Sequence, residues 1–247
     1  MATRLVHLVW DANDPAALAR FWASALGWVI GDEDEDEGEV DVWPDGYRYP
    51  DPAAVPLVFV PVPEPKTGKN RVHLDLASMS LADQAELVAR LHDLGASPVD
   101  IGQGEVPWVI LADPEGNEFC VLEPRDSYRD TGPVAAILTD CADPAALGRF
   151  WTEAAGYPVA YAEEHITGLR APSGVGPYLE FLRVPDAKTV KNRLHPDVAP
   201  YPGQDPVTEV ARLRRLGAVP VDVGQGDVNW TVLADPEGNE FCVLSPR

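Results

Sequence analysis

The segment RLVHLVWDA near the start of the chain alternates along its length, with Val6, Leu8 and Trp10 on one face and His7 on the other. A period of two residues predicts a strand. Asp14 followed by Pro15 is typical of a helix start. Apolar residues then recur at the helical spacing of a buried stripe up to a glycine that ends the helix, at positions 18, 21, 22, 25 and 26. Further extended segments follow, so the chain opens with a strand, a helix and several strands.

The same order of elements returns about 65 residues later. RVHLDLA, which begins at Arg71, alternates as a strand, and LADQAELVARLHDLG has the pattern of a helix. Three short extended pieces follow, SPVDIG, WVILADP and NEFCVLEP. The DPEGN between the last two favours a tight hairpin turn. The pattern therefore predicts two βαβββ modules in the first half of the chain.

The second half repeats the first. DPAALARFWASALGW at Asp14 returns as DPAALGRFWTEAAGY at Asp143, and KNRVHLD at Lys69 returns as KNRLHPD at Lys191. The closing segments, which begin at Gly102 and Gly224, match at 19 of 24 positions. Repetition of whole blocks in the same order indicates a duplicated domain. We predict domains over residues 1–125 and 133–247, joined by the polar linker DSYRDTGP, and four modules in total.

Composition excludes several kinds of partner. A formal net charge of −21 repels nucleic-acid phosphates and anionic membrane surfaces. No apolar run reaches the roughly 18 residues of a membrane span, and MATRLVHLVW does not resemble a signal peptide, so we expect a cytoplasmic protein. Three cysteines make no disulfide framework. The acidic run from Gly31 to Asp41 is interpreted as a solvated surface loop.

The DPxxLxxFWxxxLG helix start, the DPEGNEFxVL hairpin and the paired βαβββ modules resemble the vicinal-oxygen-chelate superfamily, which includes glyoxalase-like, bleomycin-resistance and extradiol-dioxygenase proteins. The resemblance covers nearly the whole chain. It implies an α+β fold of tandem glyoxalase/bleomycin-resistance/dioxygenase-like domains, with four βαβββ modules that form two cup-shaped mixed sheets. In this superfamily small molecules bind inside the cup, and many members hold a divalent metal there.

Strand parity places Arg71, His73 and Asp75 in one polar row, and the second repeat has Arg193, His195 and Asp197 at the matching positions. Such a row is either the lining of a site or an ion-paired strand face. The resemblance implies His7 and His73 as metal ligands of the first repeat, and His195 with Glu180 as those of the second. Zn, Fe, Ni or Mn suits such ligands.

The sequence departs from metal-dependent relatives at the positions where they carry glutamates. Cys120 and Cys242 stand on the closing hairpins. Val58 in the first repeat is the counterpart of Glu180 in the second, and Ala136 in the second repeat is the counterpart of His7 in the first. Neither repeat therefore shows the full set of three or four ligands that a catalytic metal needs, and binding without any metal stays an alternative. The cysteines are interpreted first as buried apolar residues.

Two classes of function remain open. The first is a metal-dependent lyase, isomerase or dioxygenase in which Asp75 and Cys120 take part in catalysis. The second is a metal-free binder of a small molecule or antibiotic. In either case Arg71, Arg193, Trp108 and Trp230 are candidate ligand contacts, although a tryptophan at such a position is more often part of the core. The two repeats form either an intramolecular pseudodimer or one half of a homodimer.

Overall fold

The computed structural model describes residues 3–34 and 38–247. Within them each repeat contains two βαβββ modules, as the pattern predicts. The first repeat consists of β1 (Thr3–Ala12), α1 (Pro15–Leu26), β2 (Val29–Asp34), β3 (Glu39–Trp43), β4 (Leu57–Pro61), β5 (Val72–Leu76), α2 (Leu81–Asp93), β6 (Ser97–Pro98), β7 (Val109–Ala112) and β8 (Glu118–Val121). The second consists of β9 (Val134–Cys141), α3 (Pro144–Ala155), β10 (Val159–Ala162), β11 (Ile166–Leu169), β12 (Tyr178–Arg183), β13 (Leu194–Pro200), α4 (Pro206–Arg215), β14 (Val219–Pro220), β15 (Thr231–Ala234) and β16 (Glu240–Val243).

Local chemistry fixes the helix ends. The Asp14 carboxylate accepts a hydrogen bond from the Ala17 amide at 2.9 Å, which satisfies one of the free N–H groups of the first turn of α1. Gly27 ends α1 with a φ of 68°, a left-handed conformation that strains other residues. Asp143 and Gly156 take the same roles in α3. None of the helices in the described part of the chain has the length and apolar character needed to cross a bilayer.

The strands form two mixed sheets of eight strands each. Sheet A has the order β14-β15-β16-β13-β1-β4-β3-β2, and sheet B has the order β10-β11-β12-β9-β5-β8-β7-β6. The predicted α+β fold with two sheets built from four modules is confirmed. The two sheets do not correspond to the two repeats, because β1 pairs antiparallel with β13 and β5 pairs antiparallel with β9. Each sheet therefore joins one module of the first repeat to one module of the second.

One face of each sheet packs against the shared hydrophobic core. Trp10, Trp22 and Phe119 are fully buried there, and the Trp22 and Phe119 rings lie 5.0 Å apart, which holds the two modules of the first repeat together. Smaller apolar clusters lie on the opposite, concave faces: one around Cys120 on sheet B and one around Cys242 on sheet A. The candidate chemistry lies beside these smaller clusters.

Two local predictions need correction. Val6 belongs to the cluster on the concave face of sheet A, apart from Leu8 and Trp10, because the register of β1 shifts between Leu5 and His7. The acidic run 31–41 is not a loop throughout: β2 extends to residue 34 and β3 begins at residue 39, while residues 35–37 lie outside the described part. Strand β3 forms because Val40 and Val42 alternate with its polar residues and are buried in the core.

Candidate functional site

On sheet A, four side chains with metal-ligating atoms converge on the concave face. The antiparallel register of β1 and β13 places His7 opposite Asp197, and the parallel pairing of β13 with β16 places Asp197 beside Cys242. His195 lies two residues before Asp197, on the same face of β13. We name His7, His195, Asp197 and Cys242 the sheet A site. The first repeat contributes one of these residues and the second contributes three.

The sheet A site is centred on the carboxylate of Asp197. His7 Nε2 lies 2.8 Å from Asp197 Oδ2 and donates a hydrogen bond to it. His195 Nε2 lies 3.7 Å from Asp197 Oδ1. One ligand atom each of His195, Asp197 and Cys242 falls within a group whose members are all within 4.8 Å of one another. The spacing allows one ion to contact several of these atoms.

Burial and charge set the protonation states of the sheet A site. Burial lowers the pKa of His195, so its ring is neutral at neutral pH. Burial alone would raise the pKa of Asp197, but the hydrogen bond and charge of His7 outweigh it and hold that pKa below the usual value for an aspartate. Burial and the neighbouring Asp197 raise the pKa of the Cys242 thiol. The site therefore presents an ionised carboxylate beside a neutral imidazole and a protonated thiol.

Sheet B carries a related group with a different composition. His73 Nε2 lies 3.5 Å from Asp75 Oδ1, and β5 pairs in parallel with β8 so that Asp75 lies beside Cys120. Ala136 lies opposite Asp75, at the position that His7 takes opposite Asp197. Glu180 on β12 is buried and interacts electrostatically with Asp75. We name His73, Asp75, Cys120 and Glu180 the sheet B site.

The carboxylate of Glu180 is already hydrogen-bonded. The hydroxyl of Tyr128 donates to Glu180 Oε1 at 2.9 Å, and that of Tyr161 donates to the same oxygen at 2.6 Å. Tyr161 reaches it by lying against Gly168, where a Cβ atom would come within 2.3 Å of its ring. Burial raises the pKa of Glu180, although both tyrosines act in the opposite direction. A metal ion would have to compete with these two hydroxyls for the shared oxygen.

The two sites differ most in their central aspartates. Burial, and after it the nearby Glu180 carboxylate, raises the pKa of Asp75 to about 8. No histidine faces Asp75 from the neighbouring β9, whereas His7 faces Asp197 from β1. Burial also lowers the pKa of His73 to about 4, so this ring is neutral at neutral pH. Sheet B thus holds a protonated acid where sheet A holds an ionised one.

A tryptophan lies on the concave face of each sheet. Trp108 packs against the apolar cluster around Cys120, and its Nε1 donates to Gln103 Oε1 at 2.8 Å. The guanidinium of Arg125 lies 5.9 Å from the centre of the Trp108 ring. Trp230 packs against the apolar cluster that contains Cys242. Both indoles are partly buried, so each combines core packing with a surface that a ligand can reach.

The structure separates residues that the resemblance grouped together. His7 lies on sheet A and His73 on sheet B, so they are not ligands of one site. Glu180 and His195 are separated in the same way, because β12 belongs to sheet B and β13 to sheet A. The physical reason is that the strands of each cup pair across the two repeats. The roles of Asp75, Cys120 and the two tryptophans stay predictions.

The two candidate arginines contact carbonyl oxygens and carboxylates. Arg71 donates to the backbone oxygens of Asp186 at 2.7 Å and Asp140 at 2.6 Å. Arg193 donates to the backbone oxygen of Glu64 at 2.7 Å and to the carboxylate of Glu115 at 3.1 Å. These bonds tie the connections between the sheets to the strands. Ligand binding by either arginine would have to use donors that remain outside this set.

The sequence analysis missed Tyr128 and Tyr161. Tyr128 lies in the linker, within a short 3-10 turn at Asp126–Tyr128, and a linker is expected to face solvent. No periodicity in the sequence indicates that this side chain turns inward. Tyr161 lies on an edge strand, and only Gly168, which leaves room for its ring, is a signal in the sequence.

The sheet A site passes a test of fit for a divalent transition metal. His195, Asp197 and Cys242 offer an imidazole, a carboxylate and a thiol within 4.8 Å of one another, and His7 adds a second imidazole beside Asp197; these are ligand types of Zn²⁺ and similar ions. His195 Nδ1 and Asp197 Oδ1 are buried and have no hydrogen-bond partner among residues 3–34 and 38–247, whereas buried polar atoms are normally satisfied. His73 Nδ1 and Asp75 Oδ1 share this property on sheet B, but there the fourth ligand position opposite Asp75 is an alanine.

Comparisons with known proteins agree with this architecture. A family model described as a glyoxalase-like domain matches residues 7–122 and again 136–244. Glyoxalase I from Zea mays has a similar structure, with a TM-score of 0.66 and 14% sequence identity over 99% of this chain and 92% of that one. A candidate dioxygenase from Bacillus subtilis has a TM-score of 0.62 and 13% identity over 99% of this chain and 85% of its own. No curated protein sequence matches the chain. At these identities the structural likeness shows the fold alone.

Proposed function

Since the chain belongs to the glyoxalase-like domain family, whose model matches each of its two repeats, we propose that it binds a small organic molecule on the concave face of sheet A beside a divalent transition metal. His7, His195, Asp197 and Cys242 would hold the metal. Family membership supports small-molecule binding in general, and the ligand set supports the choice of this face.

The observation that carries the proposal is the convergence of four ligand side chains from three strands, one of which is the buried carboxylate at their centre. His7 comes from β1, His195 and Asp197 from β13, and Cys242 from β16. Metal ligands must be deprotonated, and Asp197 is ionised already. Sheet B lacks the second histidine and has its glutamate bound to two tyrosines. We therefore expect tighter metal binding on sheet A.

The chemistry that a metal held by these four residues would supply is Lewis-acid polarisation of a substrate oxygen. The protein's own residues would position that substrate. Trp230 offers a flat apolar surface for a planar molecule, and Tyr49 packs against the same cluster as Val6. The hydrogen bond from His7 Nε2 to Asp197 would orient both side chains, and His7 would contact a metal through its other ring nitrogen, Nδ1.

A metal-free binding function is the second candidate, and the sheet B site favours it. Glu180, Tyr128 and Tyr161 form a closed set of hydrogen bonds, and Asp75 is protonated at neutral pH. Such a face would bind a neutral molecule through hydrogen bonds and contact with Trp108. Asp75 and Cys120 would then contact the ligand without any metal.

The remaining expectations stay proposals. Both sheets are completed within one chain, which supports the intramolecular pseudodimer over an obligate homodimer. The net charge of −21 supports the absence of nucleic-acid partners. A cytoplasmic location is tested by a localisation experiment. A metal-dependent lyase, isomerase or dioxygenase reaction is tested by substrate screening, and an antibiotic as ligand by ligand screening.

The metal is tested by elemental analysis of protein purified without chelators or an affinity tag. We expect about one equivalent of Zn, Fe, Ni or Mn per chain, lost in His195→Ala and retained in the matched sheet B variant His73→Ala. Retention in His195→Ala together with loss in His73→Ala would move the metal to sheet B. If neither wild type nor protein titrated with these metals binds any, the metal-free function replaces the proposal.

A further inference from the structure

All four lysines of the chain lie around one cavity of about 500 Å³, which is within the usual size range of ligand pockets. The cavity lies between two connections that cross from one sheet to the other. Residues 64–71 join β4 of sheet A to β5 of sheet B, and residues 186–193 join β12 of sheet B to β13 of sheet A. We name it the lysine cavity; it is lined by Lys66 and Lys69 from the first connection and by Lys188 and Lys191 from the second.

The lysine cavity concentrates positive charge in an acidic protein. Arg71 and Arg193 also line it, so six of the 19 lysines and arginines of the chain meet there. The formal net charge of the whole chain is −21, which repels anions from most of its surface. Four acidic side chains line the cavity beside them, Asp11, Glu64, Asp140 and Asp186, and Glu118 and Glu240 pair with Lys66 and Lys188 from outside the lining.

Within the described part of the chain each lysine donates one or two hydrogen bonds, so each ammonium group keeps at least one N–H donor for a ligand. Lys69 pairs with Asp140, and Lys191 pairs with Asp11. Lys66 and Lys188 each donate two hydrogen bonds, one to a carboxylate, Glu118 or Glu240, and one to a backbone oxygen, Gly68 or Val190. An ammonium group has three N–H donors. Lys69 and Lys191 each donate a single hydrogen bond to a carboxylate, and their side chains remain 34% and 28% exposed.

The choice of lysine itself needs an explanation. Everywhere outside this cavity the chain places its side-chain cations on arginine, which suits fixed ion pairs because its planar group binds carboxylates in a set geometry. Lysine is a compact charge on a flexible stem and is a common phosphate binder. Both repeats have it at the same two positions, as KTGKNR from Lys66 and KTVKNR from Lys188.

We propose that the lysine cavity binds a small molecule with two oxyanion groups, such as a diphosphate or a dicarboxylate. The two connections present matching lysine pairs from opposite sides, so one anionic group would meet the pair of the first connection and the other group that of the second. This site is separate from the proposed function: it uses none of the residues of the sheet A site and needs no metal.

The small number of lysines makes the test direct. Reductive methylation with ¹³C-formaldehyde labels the four lysines and the N-terminal amine, and each signal is then followed by NMR during titration with pyrophosphate or succinate at constant ionic strength. We expect the four lysine signals to shift together and to saturate. Saturation by pyrophosphate alone identifies phosphate groups, and saturation by succinate alone identifies carboxylates.

Unmodified protein provides the second measurement, and a variant with one added lysine provides its control. Acylation of the four lysines should slow about tenfold when the anion is present at ten times its Kd. In Arg149→Lys, the new lysine stands at an exposed helix position and should react at an unchanged rate. Shifts that never saturate, or equal acylation rates with and without both anions, would show that the lysines are structural ion pairs only.

Discussion

Replacing His7 with alanine tests whether this residue holds Asp197 in its ionised form. The side chain of Asp197 is 6% exposed, and the hydrogen bond from His7 is the shortest polar contact that the structure gives it, at 2.8 Å. The other histidine is 3.7 Å away and neutral. Breaking one side of such a buried pair costs about 3 kcal/mol of stability when the remaining carboxylate stays charged.

The pH dependence of this loss has a definite sign. In wild type the pKa of Asp197 is below its unfolded value, so the contribution to stability is present above pH ~4 and is lost as pH falls through the folded pKa. Without His7, burial raises the pKa of Asp197 above its unfolded value, as it does for Asp75. The variant then loses stability as pH rises. The difference between the two proteins should therefore grow from about pH 4 to about pH 8.

Urea unfolding at pH 5, 6, 7 and 8, in the presence of a chelator, measures this difference as a free energy. Val6→Ala is the control, because it truncates a buried side chain next to His7 on β1 and neither adds nor removes a titratable group. Its effect should be the same at every pH. A His7→Ala loss that is equally large at pH 5 and pH 8 would refute the assignment of Asp197 as an ionised carboxylate held by His7.

Two further predictions concern stability. Asp75→Asn should become more stable relative to wild type as pH rises from 5 to 8, by about 2–4 kcal/mol. Over this range the carboxyl of Asp75 is ionised in the unfolded wild type but protonated in the folded protein, where its pKa is about 8, and an amide has no such dependence on pH. Urea midpoints that differ equally at both pH values would contradict this. Gly176→Ala should lower stability by about 2–4 kcal/mol, because its Cβ would lie 1.9 Å from the Pro52 carbonyl oxygen at a φ of 80°. Gly174→Ala, with a φ of 73° and open space around it, should cost only about 1 kcal/mol, and equal thermal midpoints for the two variants would contradict the predicted close contact.

The sequence predicts the modules well because their signals are local. Asp14 and Gly27 mark the ends of α1 through caps that depend on neighbouring residues alone. The alternation in RVHLDLA puts Leu74 in the core and His73 on the opposite face, and the burial of Leu74 in the main core agrees. Repetition of these local signals then identifies four modules without any long-range information.

The composition of each site depends on pairing between distant strands, which no local signal specifies. His7 meets Asp197 across 190 residues because β1 pairs with β13. Within one repeat these residue types do not come together, and His7 reaches Asp197 and Cys242 only because strands of the two repeats pair. Tyr128 illustrates a second limit, because the burial of a linker side chain depends on the partner it finds, here Glu180.

Cobalt titration tests most directly whether residues from both repeats form one metal site on sheet A. A thiolate bound to Co²⁺ gives an intense near-ultraviolet absorption band, so the band reports Cys242 as a ligand. We predict a band that saturates near one equivalent, is lost in Cys242→Ser, is weakened in His7→Ala and is unchanged in Cys120→Ser. A band that survives in Cys242→Ser and disappears in Cys120→Ser, or the absence of any band in wild type, would contradict the account.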